Sequence, residues 1–107
     1  MGAAEVLAVA ARLGLDPSVT LDVIEHSSGQ SWIGSDRLRR ALAGDETVAA
    51  HLSLLAKDSA LAMHEADRAG IPAALGGCAA EGFARARADG LGGHDDSALY
   101  RWLLDQR

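Results

Sequence analysis

His51-Leu-Ser-Leu-Leu-Ala-Lys57-Asp58-Ser-Ala-Leu-Ala-Met-His64-Glu-Ala-Asp-Arg-Ala-Gly70-Ile-Pro72 ends the longest run of this chain free of Gly and Pro. It stops as helices stop, on Gly70 and then Pro72. On a helical wheel of about 100° per residue, an apolar arc surrounds Asp58. Leu54 and Leu61 fall on one side of it; Ala62, Leu55, Val48, Ala66, Leu52 and Met63 fall on the other. A carboxylate therefore stands within the face expected to be buried, with Lys57 at its edge. An ionised carboxylate removed from water needs a partner. Two readings stay open: Asp58 caps a neighbouring helix or pairs with one of Arg37, Arg39, Arg40, Arg85 and Arg87, or it borders a polar cleft.

One domain is the natural count for 107 residues. Hydrophobic residues make up 49% and charged ones 23%, the balance of a folded rather than a disordered chain. Aromatics are only 4% while Ala and Leu abound, which favours closely packed helices over a β-sandwich. A net charge of −5 and a pI near 5.2 leave no basic stripe to displace counterions, so no nucleic-acid partner is expected. The short cluster Arg37, Arg39, Arg40 reads as a solvated helix face. Cys78 is alone, which excludes an intramolecular disulfide and suits a reducing compartment; among the small residues around it, a buried, inert thiol is expected. No apolar run approaches the roughly 18 residues of a membrane span, and no basic region of a signal peptide opens the chain. A soluble, cytoplasmic protein without membrane contact is expected.

Residues 3–13 read as a helix with Val6, Leu7, Ala10 and Leu13 on one stripe. No Ser, Thr, Asp or Asn precedes them as a cap, so the first helix is expected to be truncated at its start, with an upstream part missing. Gly14 ends it. Asp16-Pro17 opens a second helix, with Asp as N-cap, that buries Val19, Val23 and Ile24 and closes at His26. Ser27-Ser28-Gly29-Gln30-Ser31-Trp32 is the one polar connection of any length, built for turns or for a ligand. Ser35-Asp36 caps a short helix stopped at Gly44, and Asp45-Glu46-Thr47 starts the central one. After Pro72 a helix runs to about Asp89, with Leu75, Ala79, Gly82, Phe83 and Ala86 on one face. Asp95-Asp96-Ser97 caps a final helix whose Leu99, Tyr100, Leu103 and Leu104 pack inward. No period-two pattern occurs. The expectation is all-α, a compact bundle of five or six helices over residues 1–107.

The chain contains no G-x-G-x-x-G turn, Walker loop, G-x-S-x-G or H-E-x-x-H. His26, His51, His64 and His94 do not stand at the i, i+4 spacing of a zinc site, so no metal is expected. Taken alone, these residues form no complete catalytic constellation.

Five stretches occur in order, however: Glu5 through Gly14-Leu15-Asp16-Pro17; Ser28-Gly29-Gln30-Ser31-Trp32; Leu55-Ala-Lys57-Asp58-Ser-Ala-Leu-Ala62; Gly70-Ile71-Pro72; and Gly90 through Asp96-Ser97. Together they resemble the helical C-terminal domain of the 3-hydroxyisobutyrate dehydrogenase (β-hydroxyacid dehydrogenase) family, over nearly the whole chain. The fold of that domain is also that of the 6-phosphogluconate dehydrogenase C-terminal domain. The resemblance implies oxidation of a β-hydroxyacid with NAD or NADP. It implies an N-terminal Rossmann domain that holds the dinucleotide, a long inter-domain helix carrying the catalytic Lys and Asn, and C-terminal helices that close the cleft and dimerise. Lys57 would then reach toward the cofactor, with Asp58 lining the substrate cleft and Ser28, Gly29 and Ser31 in the substrate-facing loop. The Rossmann domain and the catalytic Lys and Asn have no counterpart in these residues, and Lys57 does not replace that catalyst. Ser59 stands where the family usually has Leu. The resemblance thus implies a homodimeric dehydrogenase piece that carries no catalytic residue, is inactive alone and binds no cofactor alone. The rival expectation is a non-catalytic helical oligomerisation module.

Overall fold

A computed structural model describes residues 1–106. Among them stand six α-helices: α1 (Gly2–Arg12), α2 (Pro17–Glu25), α3 (Trp32–Ala43), α4 (Leu52–Arg68), α5 (Ala74–Ala88) and α6 (Leu99–Asp105). Single 3-10 turns cover Leu91–Gly93 and Asp96–Ala98, and the strand-like pairing among the described residues is one isolated bridge, His51 with Asp95. The chain is all-α, as its composition and periodicity predict. None of the helices is long and apolar enough to cross a membrane. The chain divides into two compact units, Met1 with Val48–Asp96 and Gly2–Thr47 with the stretch from Ser97 onward.

In the first unit α4 and α5 form an antiparallel hairpin. A Cβ on Gly76, in the first turn of α5, would lie 2.5 Å from Met63 Cε toward the end of α4. One on Gly92, beyond α5, would lie 3.7 Å from Ser53 Cβ at the start of α4. The turn between them follows from sequence: Gly70 takes φ +69°, and the Ile71 N–H donates to the Ala66 carbonyl at 3.0 Å. Pro72 then prevents the helix from continuing. Leu52, Ala56, Gly82 and Ala86 are buried in this hairpin.

The wheel drew the buried face of the central helix too broadly: the side with Leu52, Leu55, Met63 and Ala66 is inward, and the side with Leu54 and Leu61 is not. Leu52 and Ala56, with the half-buried Leu55, Ser59, Met63 and Ala66, form the inward side. That side is centred roughly 120° from Asp58. Leu54 and Leu61, which flank Asp58, are 43% and 57% exposed. The apolar arc was wider than one contact can cover, so part of it faces outward and takes the carboxylate with it. Leu75 on α5 is likewise exposed.

The start of the central helix also moves, from Asp45 to Leu52. Asp45 closes a turn instead: its Oδ1 accepts from the Thr47 N–H at 2.9 Å, and Arg40 Nε donates to its Oδ2 at 3.1 Å. Val48 is therefore outside the helix and exposed.

In the second unit α1 and α6 pack together, and α2 and α3 attach to α1. Arg12, at the end of α1, donates to the Leu104 carbonyl at 2.6 Å from one nitrogen and 3.1 Å from another, and also to the Gln106 carbonyl. The core comprises Ala4, Leu7, Ala8 and Ala10 of α1, Leu21, Leu38, and Leu99, Tyr100 and Trp102 of α6. Small residues at i, i+4 on α1 permit this close approach. Val6 and Leu13 fall outside that face and are exposed. On α2 the buried side chain is Leu21, while Val19 and Val23 lie open, because the helix rests on α1 and α3 along one narrow edge. Asp16 caps α2 as its position before Pro17 predicts, accepting from the Val19 N–H at 2.9 Å. The α3 cap is Ser31 rather than Ser35, so this helix starts four residues earlier than its sequence suggests. Gly44, at φ +70°, ends it where expected.

Candidate functional site

Lys57 and Asp58 stand in the second turn of α4, on the side turned away from α5. Their side chains are 59% and 56% exposed, and Lys57 Nζ lies 3.2 Å from Asp58 Oδ1. Asp58 therefore needs no buried partner: water and its neighbour satisfy it. Leu54 and Leu61, one turn below and above, complete a surface of two leucines, one ammonium and one carboxylate. A surface of this chemistry can hold an anionic group at the amine while apolar atoms rest on the leucines. An exposed pair of this kind contributes little to stability, since water screens it. A ligand can therefore displace the pair at little cost.

Lys57 carries a further signal in composition. Ten residues are Lys or Arg, and Lys57 is the sole lysine among them. Arginine serves in the pairs made by residues 37, 39, 40 and 68, whereas lysine presents a compact charge on a flexible stem.

Ser28, Gly29 and Ser31 belong to the second unit, in the connection from α2 to α3. Ser31 Oγ accepts from the Gly34 N–H at 3.1 Å and so caps α3, which leaves its O–H to donate elsewhere. Ser28 and Gly29 are exposed, and Gly29 has no positive φ. A type of turn that only glycine can make is therefore not what Gly29 supplies. Ser27 Oγ donates to the Ile24 carbonyl at 3.0 Å, and the Gln30 N–H to the Ser27 carbonyl at 3.1 Å. His26 is the C-cap of α2, with its Nδ1 2.7 Å from the Asp22 carbonyl. Trp32, at the first turn of α3, is 73% exposed.

Ion pairs clamp this connection from below. Arg39 donates to Glu25 through Nε at 3.1 Å and through a second nitrogen at 2.6 Å, and also to Asp22. The hydrogen bond from Arg39 holds the Glu25 carboxyl below its ordinary range, and the Glu25 carboxylate in turn raises Arg39. Arg37 pairs with Asp36 and Arg40 with Asp45. The basic cluster is thus spent on neighbouring acids. Cys78, expected to be buried, is exposed on α5. Among the described residues no three His, Cys, Asp or Glu side chains are grouped to hold a metal ion.

One carboxylate takes a part that its local sequence does not announce. The run Asp95-Asp96-Ser97 predicts a cap for the last helix, but α6 has Ala98 at its N-cap and no side-chain cap bond. Asp95 is 3% exposed, and its Oδ1 accepts from the N–H groups of Ala49 at 2.7 Å and Ala50 at 3.3 Å. Its partners lie 46 and 45 residues away, beyond any short-range pattern.

A family model described as the NAD-binding region of NADP-dependent 3-hydroxyisobutyrate dehydrogenase matches residues 1–103. The chain belongs to this family. It is 36% identical over 99 residues to an L-threonate dehydrogenase of Cupriavidus necator, covering 92% of this chain and 33% of that protein. It is 34% identical over 98 residues to the L-threonate dehydrogenase of Escherichia coli K12, covering 92% and 32%. A crystal structure of 3-hydroxyisobutyrate dehydrogenase from Salmonella typhimurium superposes with a TM-score of 0.88 at 34% identity, over 94% of this chain and 35% of that one. The chain spans about a third of the length of the curated relatives it matches. The likeness between chain and family includes all the candidate residues, since Ser28, Gly29, Ser31, Lys57 and Asp58 fall inside the matched range.

Proposed function

We propose that these residues form the helical C-terminal, substrate-cleft and dimerisation part of an NAD(P)-dependent β-hydroxyacid dehydrogenase. The observation that carries the reading is the surface around Lys57: the sole lysine, exposed on a rigid helix between two open leucines, in a chain belonging to a dehydrogenase family. The residues fit one edge of the reacting pair and not a whole dinucleotide. One ammonium can meet a carboxylate or a phosphate, but the sequence contains no glycine-rich turn to cradle a pyrophosphate. The nicotinamide, when bound, supplies the acceptor for the hydride. In the first unit Lys57 holds negative charge and Asp58 sets the direction of the lysine side chain; in the second, taken by itself, the Ser28 and Ser31 hydroxyls offer donors to a ligand oxygen. None of them takes the proton from the substrate hydroxyl, so the chain alone is inactive, and without a glycine-rich turn of its own it binds neither NAD nor NADP by itself. Threonate, the substrate named for two relatives, is the first hydroxyacid to assay.

The test has two parts. The 107-residue chain should oxidise no hydroxyacid with NAD or NADP; a sustained rate from the pure chain refutes the missing-catalyst reading. In a protein completed with the part of the Cupriavidus necator relative that lies outside the matched third, Lys57→Ala should lower kcat/KM. An unchanged value removes Lys57 from the site.

The second reading, a non-catalytic oligomerisation module, is favoured by Val6 and Val9 on α1 and Leu13 just beyond it, which are 57%, 59% and 75% exposed. Open apolar side chains of this kind favour association. Both readings expect a homodimer in sedimentation, and a strict monomer at high concentration counts against both. Loss of activity in Lys57→Ala without loss of association separates the enzyme from the module. A cytoplasmic location, without membrane or nucleic-acid partners, belongs to the same proposal.

A further inference from the structure

Asp95 is part of a clasp. Beside its bonds to Ala49 and Ala50, the Leu52 N–H donates to the His94 carbonyl at 2.9 Å and the Asp96 N–H to the Ala50 carbonyl at 2.9 Å. His51 Nδ1 lies 3.1 Å from the Gly93 carbonyl. α4 depends on this arrangement. The first N–H groups of any helix lack intrahelical acceptors, and His51, at the N-cap of α4, makes no side-chain cap bond. Residues 93–96 stand in for that cap and hold residues 49–52 in one register.

The start of the helix matters at Lys57. That residue is five positions beyond the helix start, about 7–8 Å along the axis. Without the clasp, the first turn of α4, directly before the turn that carries Lys57, is free to fray. Burial of Leu52 fixes which side of α4 faces α5, and the clasp fixes where the helix begins. We propose that Asp95 is a positioning residue for Lys57: by accepting from Ala49 and Ala50 it holds the start of α4 in place and its first turn folded, and with it the support from which the ammonium is presented. Its significance for catalysis rests on the reading that Lys57 faces cofactor or substrate.

Because Lys57 is the sole lysine, reductive ¹³C-methylation of the 107-residue chain labels one ε-amine besides the N-terminus. Amide hydrogen exchange, read residue by residue by NMR, supplies the second measurement. In the unaltered chain the Ala49 amide should be protected although its residue is exposed; an unprotected Ala49 overturns the proposal without any variant. Asp95→Ala should cost the amides of Ala49, Ala50 and the first turn of α4 about tenfold in protection or more. It should also shift the Lys57 methyl resonance, with α6 unchanged. Asp95→Asn keeps an acceptor oxygen and should restore both readouts. A loss confined to α6, an unmoved Lys57 resonance in Asp95→Ala, or failure of Asp95→Asn to rescue overturns it. These readouts need no turnover, so they fail separately from the Lys57→Ala kinetics that test the site itself.

Discussion

Leu52→Ala and Leu61→Ala form a paired experiment on which side of α4 is the inner one. Leu52 is 0% exposed and Leu61 57%, although both lie in the apolar arc that the wheel draws around Asp58. Truncating either leucine removes three carbons. At Leu52 the transfer loss of about 0.8 kcal/mol per carbon is felt in full, and the hairpin keeps part of the cavity, for about 3–4 kcal/mol in all. At Leu61 less than half of the side chain is covered and no closed cavity remains. The loss there is about 1 kcal/mol at most, and the better helix propensity of Ala offsets part of it. Urea unfolding followed by circular dichroism at 222 nm measures both. The Leu52 variant should show a midpoint drop several times that of the Leu61 variant at an unchanged m-value. Equal losses, or a larger loss at Leu61, would refute the placement of the buried face, and with it the exposure of Lys57 and Asp58.

Ser31→Ala should destabilise the chain by about 1 kcal/mol through the lost cap of α3, and Ser35→Ala should not do so by the same mechanism; denaturant midpoints compare them. Acid should weaken the fold in a defined direction. Glu25 has its carboxyl held below its ordinary 4.5 by Arg39, and Asp45 below its ordinary 3.8 chiefly by the Thr47 N–H. The folded state binds fewer protons at these groups than the unfolded one, so their contribution is complete above pH 4.5 and disappears as pH falls through the folded values. Tm measured from pH 6 down to pH 3, a span of roughly three units around ordinary carboxylate values, should decline, and Arg39→Ala should flatten the part owed to Glu25. Gly44→Ala, at φ +70°, should cost about 1 kcal/mol, whereas the same change at Gly29, which has no positive φ, should cost less; thermal melts decide it.

Helix content, the caps at Asp16 and Gly44, the turn at Gly70-Ile71-Pro72 and the family itself were legible in the sequence by itself. Each depends on residues within a few positions of one another, or on motifs whose order survives without coordinates. The tertiary structure decided the rest: that Asp58 lies open beside Lys57, that α4 begins at Leu52, that Leu21 rather than Val19 or Val23 is the buried side chain of α2, and that Cys78 is exposed. A helical wheel shows which residues share a side but not which side another helix covers, and α4 has more apolar surface than one neighbour can take. The bond from Asp95 to Ala49 crosses 46 residues. Periodicity reads neighbours along the chain, and a hydrogen bond closed by folding over that separation leaves no trace in local order.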